Sequence, residues 1–185
     1  LIATVLFNQI INNRIKTSFA KKRLQIDPDL KQSQIISLKK KIEEGIPRTW
    51  LAIDEAQNLI PSTSKTKSQD LIIKYVKEGR NYGLSLIITT QQPNAIDSKV
   101  MTQVDTMFIH QLSSGKDINY ILENLKSDLP DRISDRNRTL EIRELLRNLS
   151  IGNAFVTCTE NTSDIFRSFV LKVRPRVTIH GGFED

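Results

Sequence analysis

The 185-residue sequence has few of the residues on which several protein classes depend. It contains one cysteine, Cys158, and two histidines. A single cysteine excludes an intrachain disulfide framework and a cysteine-based zinc cage, and it suits a small core residue in a reducing compartment. No apolar run approaches the ~20 residues that span a bilayer, and no signal peptide is visible. We therefore expect no membrane association and a cytoplasmic location.

The remaining composition is that of an ordinary folded domain. Hydrophobic residues make up 38% of the chain and charged residues 26%, which argues against disorder throughout and fits one domain over residues 1–185. The 27 basic and 21 acidic residues give a formal net charge of +6. A positive field favours anionic partners such as nucleic acid, although lysine-rich surfaces are also common for other reasons. The first residue is leucine rather than methionine, which favours a fragment of a longer protein.

The order of apolar segments predicts an α/β fold. Short apolar runs bounded by turn residues alternate with segments of helical periodicity, and the runs are apolar on both faces. This alternation predicts a mostly parallel sheet with flanking helices. We expect helices at about 1–20, within 21–48, and at 68–81, 97–104, 117–125 and 140–149, strands at 49–54, 84–90, 106–112, 154–159 and 166–173, and a polar loop at 128–138.

The strongest chemical signal is a pair of acids after a β-favouring run. The segment Leu51-Ala52-Ile53 leads directly into Asp54 and Glu55. In open α/β sheets, ligands bind at the carboxyl ends of the strands. One carboxylate there can hold a magnesium hydration shell and the next can activate a water. The pattern is that of a Walker B strand followed by a catalytic glutamate. The alternative is a strand that simply ends in two solvated acids.

The segments that follow resemble those of a known superfamily. A helix ending in Glu78-Gly79-Arg80 leads into an apolar strand that closes on Thr90-Gln91-Gln92-Pro93. Together with the acid pair, this resembles the HerA/FtsK superfamily of ring-shaped translocases, in particular the archaeal HerA-type branch. The resemblance covers residues 49–125 well, and the tail 174–185 loosely. A basic helical insertion at 21–48 and a charged loop and helix at 127–150 look particular to this protein.

The resemblance implies roles for four side chains. Asp54 would hold Mg²⁺ through water, and Glu55 would activate the attacking water. Gln91 would sense the γ-phosphate, since its amide can donate to phosphate and accept from water. Arg80 would act across a subunit boundary as an arginine finger. The alternatives are a plain loop residue at Gln91 and a helix-terminal cation at Arg80.

Other positions are less clear or depart from the pattern. His180 and Gly181, in the tail, would contribute nucleotide contacts by the same resemblance. Gln92 stands where the family often has a cation, and Gln57 where relatives often have histidine. Any role that depends on those side chains is therefore in doubt. His110 fits a packed strand residue better than a metal ligand.

The sequence contains no Walker A motif. None of its seven glycines has the G-x-x-x-x-G-K-[ST] spacing, so the backbone amides and lysine that cradle β- and γ-phosphates are not supplied by residues 1–185. We expect the P-loop part to precede residue 1, and we expect this chain to be inactive as an ATPase by itself. The resemblance also implies that the P-loop strand inserts between strands 84–90 and 106–112.

Together these features predict a RecA-like P-loop NTPase core from a HerA-type ATPase. The resemblance implies ATP and Mg²⁺ as cofactors, a homo-hexameric ring, duplex DNA as the partner, and work with a nuclease in DNA end processing or repair. One alternative is a conjugation- or secretion-type ATPase of the same superfamily. Another is a non-hydrolysing interaction module that kept the fold.

Overall fold

The computed structural model describes residues 2–125, 132–135, 138–160 and 165–175. The chain divides into two compact units, Leu1–Gln103 and Val104–Asp185. The acid pair and Gln91 lie in the first unit, which therefore contains the candidate site. The prediction of a single domain over 1–185 stays a prediction.

The helices of the first unit follow the sequence pattern with one shift. They are α1 (Ile2–Ile26), α2 (Gln32–Glu43), α3 (Gln69–Glu78) and α4 (Ser98–Met101). The helix α1 continues six residues past its predicted end, so the basic insertion predicted at 21–48 is shared between α1 and α2. The chain breaks at Asp27-Pro28, where proline cannot continue a helix. The carboxylate of Asp97 caps α4 by accepting from the Lys99 amide at 2.8 Å, as predicted.

A parallel pair of strands forms the frame of the site. The strands β1 (Thr49–Ile53) and β2 (Leu84–Ile88) pair in register, with Thr49 opposite Leu84 and Ile53 opposite Ile88. The helix α3 connects them and ends in a 3₁₀ turn, Gly79–Tyr82. Gly83 then adopts a φ of 70°, a left-handed conformation that glycine accepts without steric strain. Because the strands are parallel, both carboxyl ends lie at the same edge.

One face of this pair is buried and the other is not. Leu84 and Ile53 are buried, together with Ile72 and Tyr75 of α3. On the opposite face Trp50 is 70% exposed and Ile87 is 47% exposed. The prediction that both strands are buried on both faces is therefore wrong for this face. Apolar composition shows that a face is suited to burial, whereas burial itself depends on a second layer packing against it.

The second unit differs from the predicted parallel arrangement. The strands β3 (Thr106–Ile109), β6 (Asn153–Glu160) and β7 (Ile165–Lys172) form an antiparallel sheet in the order β3-β6-β7. Only four residues join β6 to β7, and so short a connection permits only antiparallel pairing. The parallel prediction therefore holds for β1 and β2 but not for these strands.

A hairpin and two helices complete the second unit. The strands β4 (Arg132–Asp135) and β5 (Arg138–Glu141) pair antiparallel. The sequence had predicted a loop at 128–138 and a helix from 140, so β5 replaces the end of that loop and the start of that helix. The polar composition of the two strands gave no apolar alternation from which a strand could be predicted. The helices α5 (Gly115–Asn124) and α6 (Ile142–Arg147) pack against β3 and β6 around a core of Ile109, Ile118, Ile121, Ile142, Leu145, Leu146, Leu149 and Phe155.

Within the described ranges, no helix combines the length and the apolar character required to cross a bilayer. The insertion of a P-loop strand between the strands at 84–90 and 106–112 stays a prediction.

The contact between α1 and the loop after α2 gives a stability prediction. Thr17 is 3% exposed, and its hydroxyl donates to the Asn13 carbonyl at 2.9 Å. A Cβ at Gly45 would overlap that hydroxyl and lie 3.1 Å from the Lys41 carbonyl oxygen. We expect Gly45→Ala to destabilise the protein by about 1–3 kcal/mol, the usual cost of overpacking. Urea unfolding of the variant and the wild type measures the difference.

Gly115→Ala is the matched control, because the contact that its new Cβ would make with the described residues outside its own helix is with the end of the flexible Arg147 side chain, at 3.3 Å. It is expected to be neutral or slightly stabilising. The double variant Thr17→Ala/Gly45→Ala should lose less stability than the two single changes added together. Strict additivity would show that the overlap with Thr17 is not the cause.

Candidate active site

Asp54 is the first residue after β1. Its Oδ1 accepts from the Thr89 hydroxyl, and also from the backbone N–H of Glu55 at 3.0 Å. Thr89 in turn donates its backbone N–H to the Ile53 carbonyl at 2.9 Å. These bonds join the carboxyl ends of β1 and β2 and fix the Asp54 carboxylate at the edge where both strands end. The side chain is exposed there, so it can reach a solvated ligand.

Glu55 has an unusual backbone conformation. Its φ of 49° and ψ of 51° are left-handed, and among the described residues no other non-glycine has a positive φ. Such a conformation is strained for a residue with a Cβ, and strain of this kind often occurs at functional sites. It turns the chain sharply into a 3₁₀ turn, Ala56–Asn58, and the Ala56 N–H donates to the Thr89 carbonyl at 3.0 Å. The turn directs Glu55 toward the end of β2.

Two amide side chains hold the Glu55 carboxylate. Gln91 donates from Nε2 to Oε1 at 3.0 Å, and Gln57 donates from Nε2 to Oε2 at 2.7 Å. Three of the four side chains with implied roles, Asp54, Glu55 and Gln91, therefore lie together at one edge of the sheet. Their chemical roles stay predictions.

The sequence reasoning missed the residues that support this carboxylate. The Thr90 hydroxyl donates to Gln57 Oε1 at 2.6 Å and accepts from the Gln92 backbone N–H at 3.0 Å. Thr89 and Thr90 close the apolar strand adjacent to the acid pair. Two hydroxyl residues at the end of this strand could have been predicted to contact the acid pair, because neighbouring parallel strands end side by side. The partner of Gln57 could not be found from sequence, because it lies 33 residues away.

Arg80 lies at the opposite end of the strand pair. It belongs to the 3₁₀ turn that precedes β2, whereas Asp54 and Glu55 follow β1. Five residues of β2 separate the two ends, roughly 16 Å at the usual rise per residue. The side chain is exposed. The structure therefore does not bring Arg80 to the acids of its own chain.

A buried arginine holds the turn that carries Arg80. Arg14 is 5% exposed and donates from Nε to the Tyr82 carbonyl and from Nη1 to the Ile46 carbonyl, both at 2.7 Å. Burial, and secondarily the charge of Arg48, lower the pKa of Arg14. Arg14 lies in the middle of α1 and joins α1 to the segments that precede β1 and β2.

Tyr75 anchors α3 near the amino end of β2. Its hydroxyl donates to the Ser85 carbonyl at 3.2 Å, and its ring meets Phe7 of α1 edge-on at a centroid distance of 5.6 Å. Burial raises the pKa of Tyr75 to about 12. The phenol is protonated at physiological pH, as an unshifted tyrosine would also be, so it can donate this bond.

The donor set fits a nucleotide-bound magnesium ion. Over the described ranges, no group of three or more His, Cys, Asp or Glu side chains could hold a metal. Mg²⁺ takes most of its ligands from water and phosphate and needs only one or two carboxylates. Asp54 at the sheet edge meets that requirement. His180 and Gly181, with most of the tail, lie outside the described residues.

Comparisons with known proteins identify a family and relatives of this chain. The family model described as zonular occludens toxin (Zot) matches residues 6–143. The DNA double-strand break repair helicase HerA of Sulfurisphaera tokodaii is 31% identical over 100 residues, which cover 52% of this chain and 20% of the relative. HerA of Pyrococcus furiosus is 23% identical over 133 residues, which cover 68% of this chain and 24% of the relative.

A solved structure matches the fold. The genome packaging NTPase B204 of Sulfolobus turreted icosahedral virus 2, in complex with AMPPCP, aligns with a TM-score of 0.53 at 17% identity, over 78% of this chain and 61% of that chain.

The chain spans only about a fifth to a quarter of the length of the curated HerA relatives. The family model matches well over half of this chain, and the HerA relatives also match part of this chain. The chain therefore belongs to the zonular occludens toxin (Zot) family, within the HerA/FtsK type of P-loop ATPases.

Proposed function

We propose that the protein is an ATP-driven DNA translocase of HerA type that acts as a homo-hexameric ring on duplex DNA during end processing. The observation that carries the proposal is the convergence of Asp54, Glu55 and Gln91 at the carboxyl edge of β1 and β2. Two carboxylates and an amide can supply a magnesium contact, a general base and a polar group that positions the attacking water. The HerA relatives are named as DNA double-strand break repair helicases, in support of DNA as the partner.

The residues take separate roles in this proposal. Mg²⁺, when bound with ATP, would neutralise charge on the phosphates. Asp54 is placed to hold the hydration shell of that ion, because Thr89 and the Glu55 amide fix its carboxylate at the edge. Glu55 accepts a proton from the attacking water. Gln91 lies beside Glu55 and is exposed, so its amide can reach toward a γ-phosphate.

The proposal requires a phosphate-binding segment that residues 1–185 do not contain. The proposal places the cradle for the β- and γ-phosphates outside residues 1–185, and residues 1–185 alone are expected to show no ATPase activity. The net charge of +6 is in keeping with a nucleic-acid partner. We also propose that a nuclease works with the ring, as the resemblance to HerA-type proteins implies.

Salt dependence tests the DNA partner. In the complete protein, duplex DNA should stimulate ATP hydrolysis, and its affinity should fall steeply as salt rises, because binding releases counterions from the phosphates. For six to ten phosphate contacts, the loss between about 50 and 200 mM salt is roughly 10³–10⁵-fold. Fluorescence anisotropy with a labelled duplex measures the affinity, and phosphate release measures hydrolysis.

Two results would redirect the assignment. Hydrolysis without any DNA binding, at every salt concentration, would favour a secretion-type ATPase of the same superfamily. Absence of both DNA binding and hydrolysis in the complete protein would favour a non-hydrolysing module that kept the fold. If blocking the ends of the DNA duplex abolishes the stimulation of ATP hydrolysis while DNA binding remains, that result would support end processing in particular.

A second candidate within the same chemistry is genome packaging. The aligned NTPase B204 is named for packaging a viral genome. Packaging and end processing both need a motor that moves along duplex DNA, and they differ in what the motor is attached to. Co-purification with a nuclease would favour end processing, whereas co-purification with a capsid or portal protein would favour packaging.

A further inference from the structure

A chain of hydrogen bonds runs from the backbone after β2 to the Glu55 carboxylate. The Gln92 N–H donates to Thr90 Oγ at 3.0 Å, the Thr90 hydroxyl donates to Gln57 Oε1 at 2.6 Å, and Gln57 Nε2 donates to Glu55 Oε2 at 2.7 Å. We call these three bonds the Thr90–Gln57 relay. Thr90 and Gln57 are both half-buried, so water competes less for these groups than at the exposed Gln91.

The direction of each bond follows from the one before. A backbone N–H can only donate, so Thr90 Oγ accepts from it and has its single hydrogen left for Gln57. That hydrogen favours the carbonyl oxygen of the Gln57 amide. The amide nitrogen is then turned to Glu55, whose carboxylate can only accept. The flipped amide would place its carbonyl oxygen against the carboxylate at 2.7 Å, which is repulsive.

The second amide on Glu55 cannot serve the same purpose. Gln91 holds Oε1 at 3.0 Å, but it is exposed and is the residue proposed to sense the γ-phosphate. If its amide turns to the phosphate, Glu55 loses that bond at the moment when its carboxylate must be in place. A second donor that does not contact the phosphate is therefore needed on the other carboxylate oxygen, Glu55 Oε2, and Gln57 provides it.

We propose that Gln57 and Thr90 are positioning residues for Glu55: the Thr90 hydroxyl holds the Gln57 side chain in place, and the Gln57 amide holds Glu55 while Gln91 engages nucleotide. The proposal rests on the proposed ATPase function. It also assigns a role to Gln57, a position where the sequence departs from the family pattern. The relay places three hydrogen bonds, the first of them from a backbone N–H, behind the side chain that must be held in position.

Steady-state ATPase kinetics of the complete protein, with DNA at saturation, test the relay. Thr90→Val keeps the shape of the side chain but cannot donate to Gln57, and it should lower kcat by about tenfold with little change in the KM for ATP. Thr90→Ser keeps the hydroxyl and is the matched control, expected within about twofold of wild type. Gln57→Glu keeps the shape but replaces the donor with a second carboxylate, and it should lower kcat by about 10–100-fold.

Crystal structures of the Thr90→Val and Thr90→Ser variants test the geometry independently of activity. The Gln57–Glu55 bond should be lost in Thr90→Val and retained in Thr90→Ser. Retention of that bond in both variants, or equal kcat values for both, would overturn the relay. A fall in kcat accompanied by an equal rise in KM would also overturn it, because it would indicate weaker binding rather than a misplaced base. If the wild type hydrolyses no ATP, the proposed function fails, while the two crystal structures still decide whether Thr90 orients Gln57.

Discussion

Replacing Glu55 with glutamine is expected to leave ATP binding nearly unchanged and to slow ATP hydrolysis by about 10²–10⁴-fold, the usual contribution of a general base. The amide keeps the shape of the side chain but cannot take a proton from water. It also accepts from only one of the two amides that now hold the carboxylate, Gln57 and Gln91. Single-turnover hydrolysis and nucleotide binding, both measured on the complete protein, separate the chemical step from affinity.

Glu43→Gln on α2 is the matched control for this change. Glu43 is exposed and is the last residue of α2, a different element from the strand that carries the acid pair. It undergoes the same chemical substitution, so it should keep wild-type hydrolysis and binding. A Glu55→Gln protein that hydrolyses ATP at most of the wild-type rate would remove Glu55 from the mechanism. Loss of nucleotide binding in that variant would point to a structural role.

Replacing Arg80 with alanine is expected to slow hydrolysis by roughly 10³–10⁵-fold, the range for arginine fingers. Arg80 lies at the end of β2 opposite to the acid pair, about a strand length away. It cannot reach the acids of its own chain by a side-chain movement alone. The turn that carries it is instead held by the buried Arg14, so the guanidinium is presented at a fixed edge of the unit. This placement favours action on the site of a neighbouring subunit.

Mixed rings test that placement directly. In a ring of Arg80→Ala and Glu55→Gln subunits, a complete site forms wherever the Glu55 of the first subunit type meets the Arg80 of the second. Random mixing in equal amounts should therefore restore about a quarter of the wild-type sites, since the interface is head-to-tail. Lys77→Ala removes a neighbouring exposed cation and is the control, expected to hydrolyse ATP normally by itself. Failure at every mixing ratio, with mixed rings confirmed by mass, would favour a structural or same-subunit role for Arg80.

Local sequence pattern was sufficient for much of the first unit. The apolar run before Asp54, the periodicity of α3, and Gly83 as the stop before β2 each act over a few residues. Signals of this kind do not need the rest of the fold, because strand alternation, helix periodicity and turn chemistry are local. For the same reason, the sequence was sufficient to predict that Asp54 and Glu55 follow a strand and that Gln91 follows the next one.

Tertiary structure decided the features that depend on distant partners. The exposure of Trp50 depends on whether a layer covers its face of the sheet, which no property of the strand itself determines. The hairpin of β4 and β5 consists mostly of polar residues. These residues form strands because the two segments pair with each other, and their composition alone does not predict a strand.

The supports of the site belong to the same class. Arg14 binds carbonyls 32 and 68 residues away, and Thr90 binds Gln57 across 33 residues. The sequence by itself was sufficient to predict which side chains would be placed for the chemistry, because their types and their position after each strand are local properties. Only the fold decided what holds them, because a hydrogen bond between residues far apart in sequence exists only once the two strands have been brought side by side.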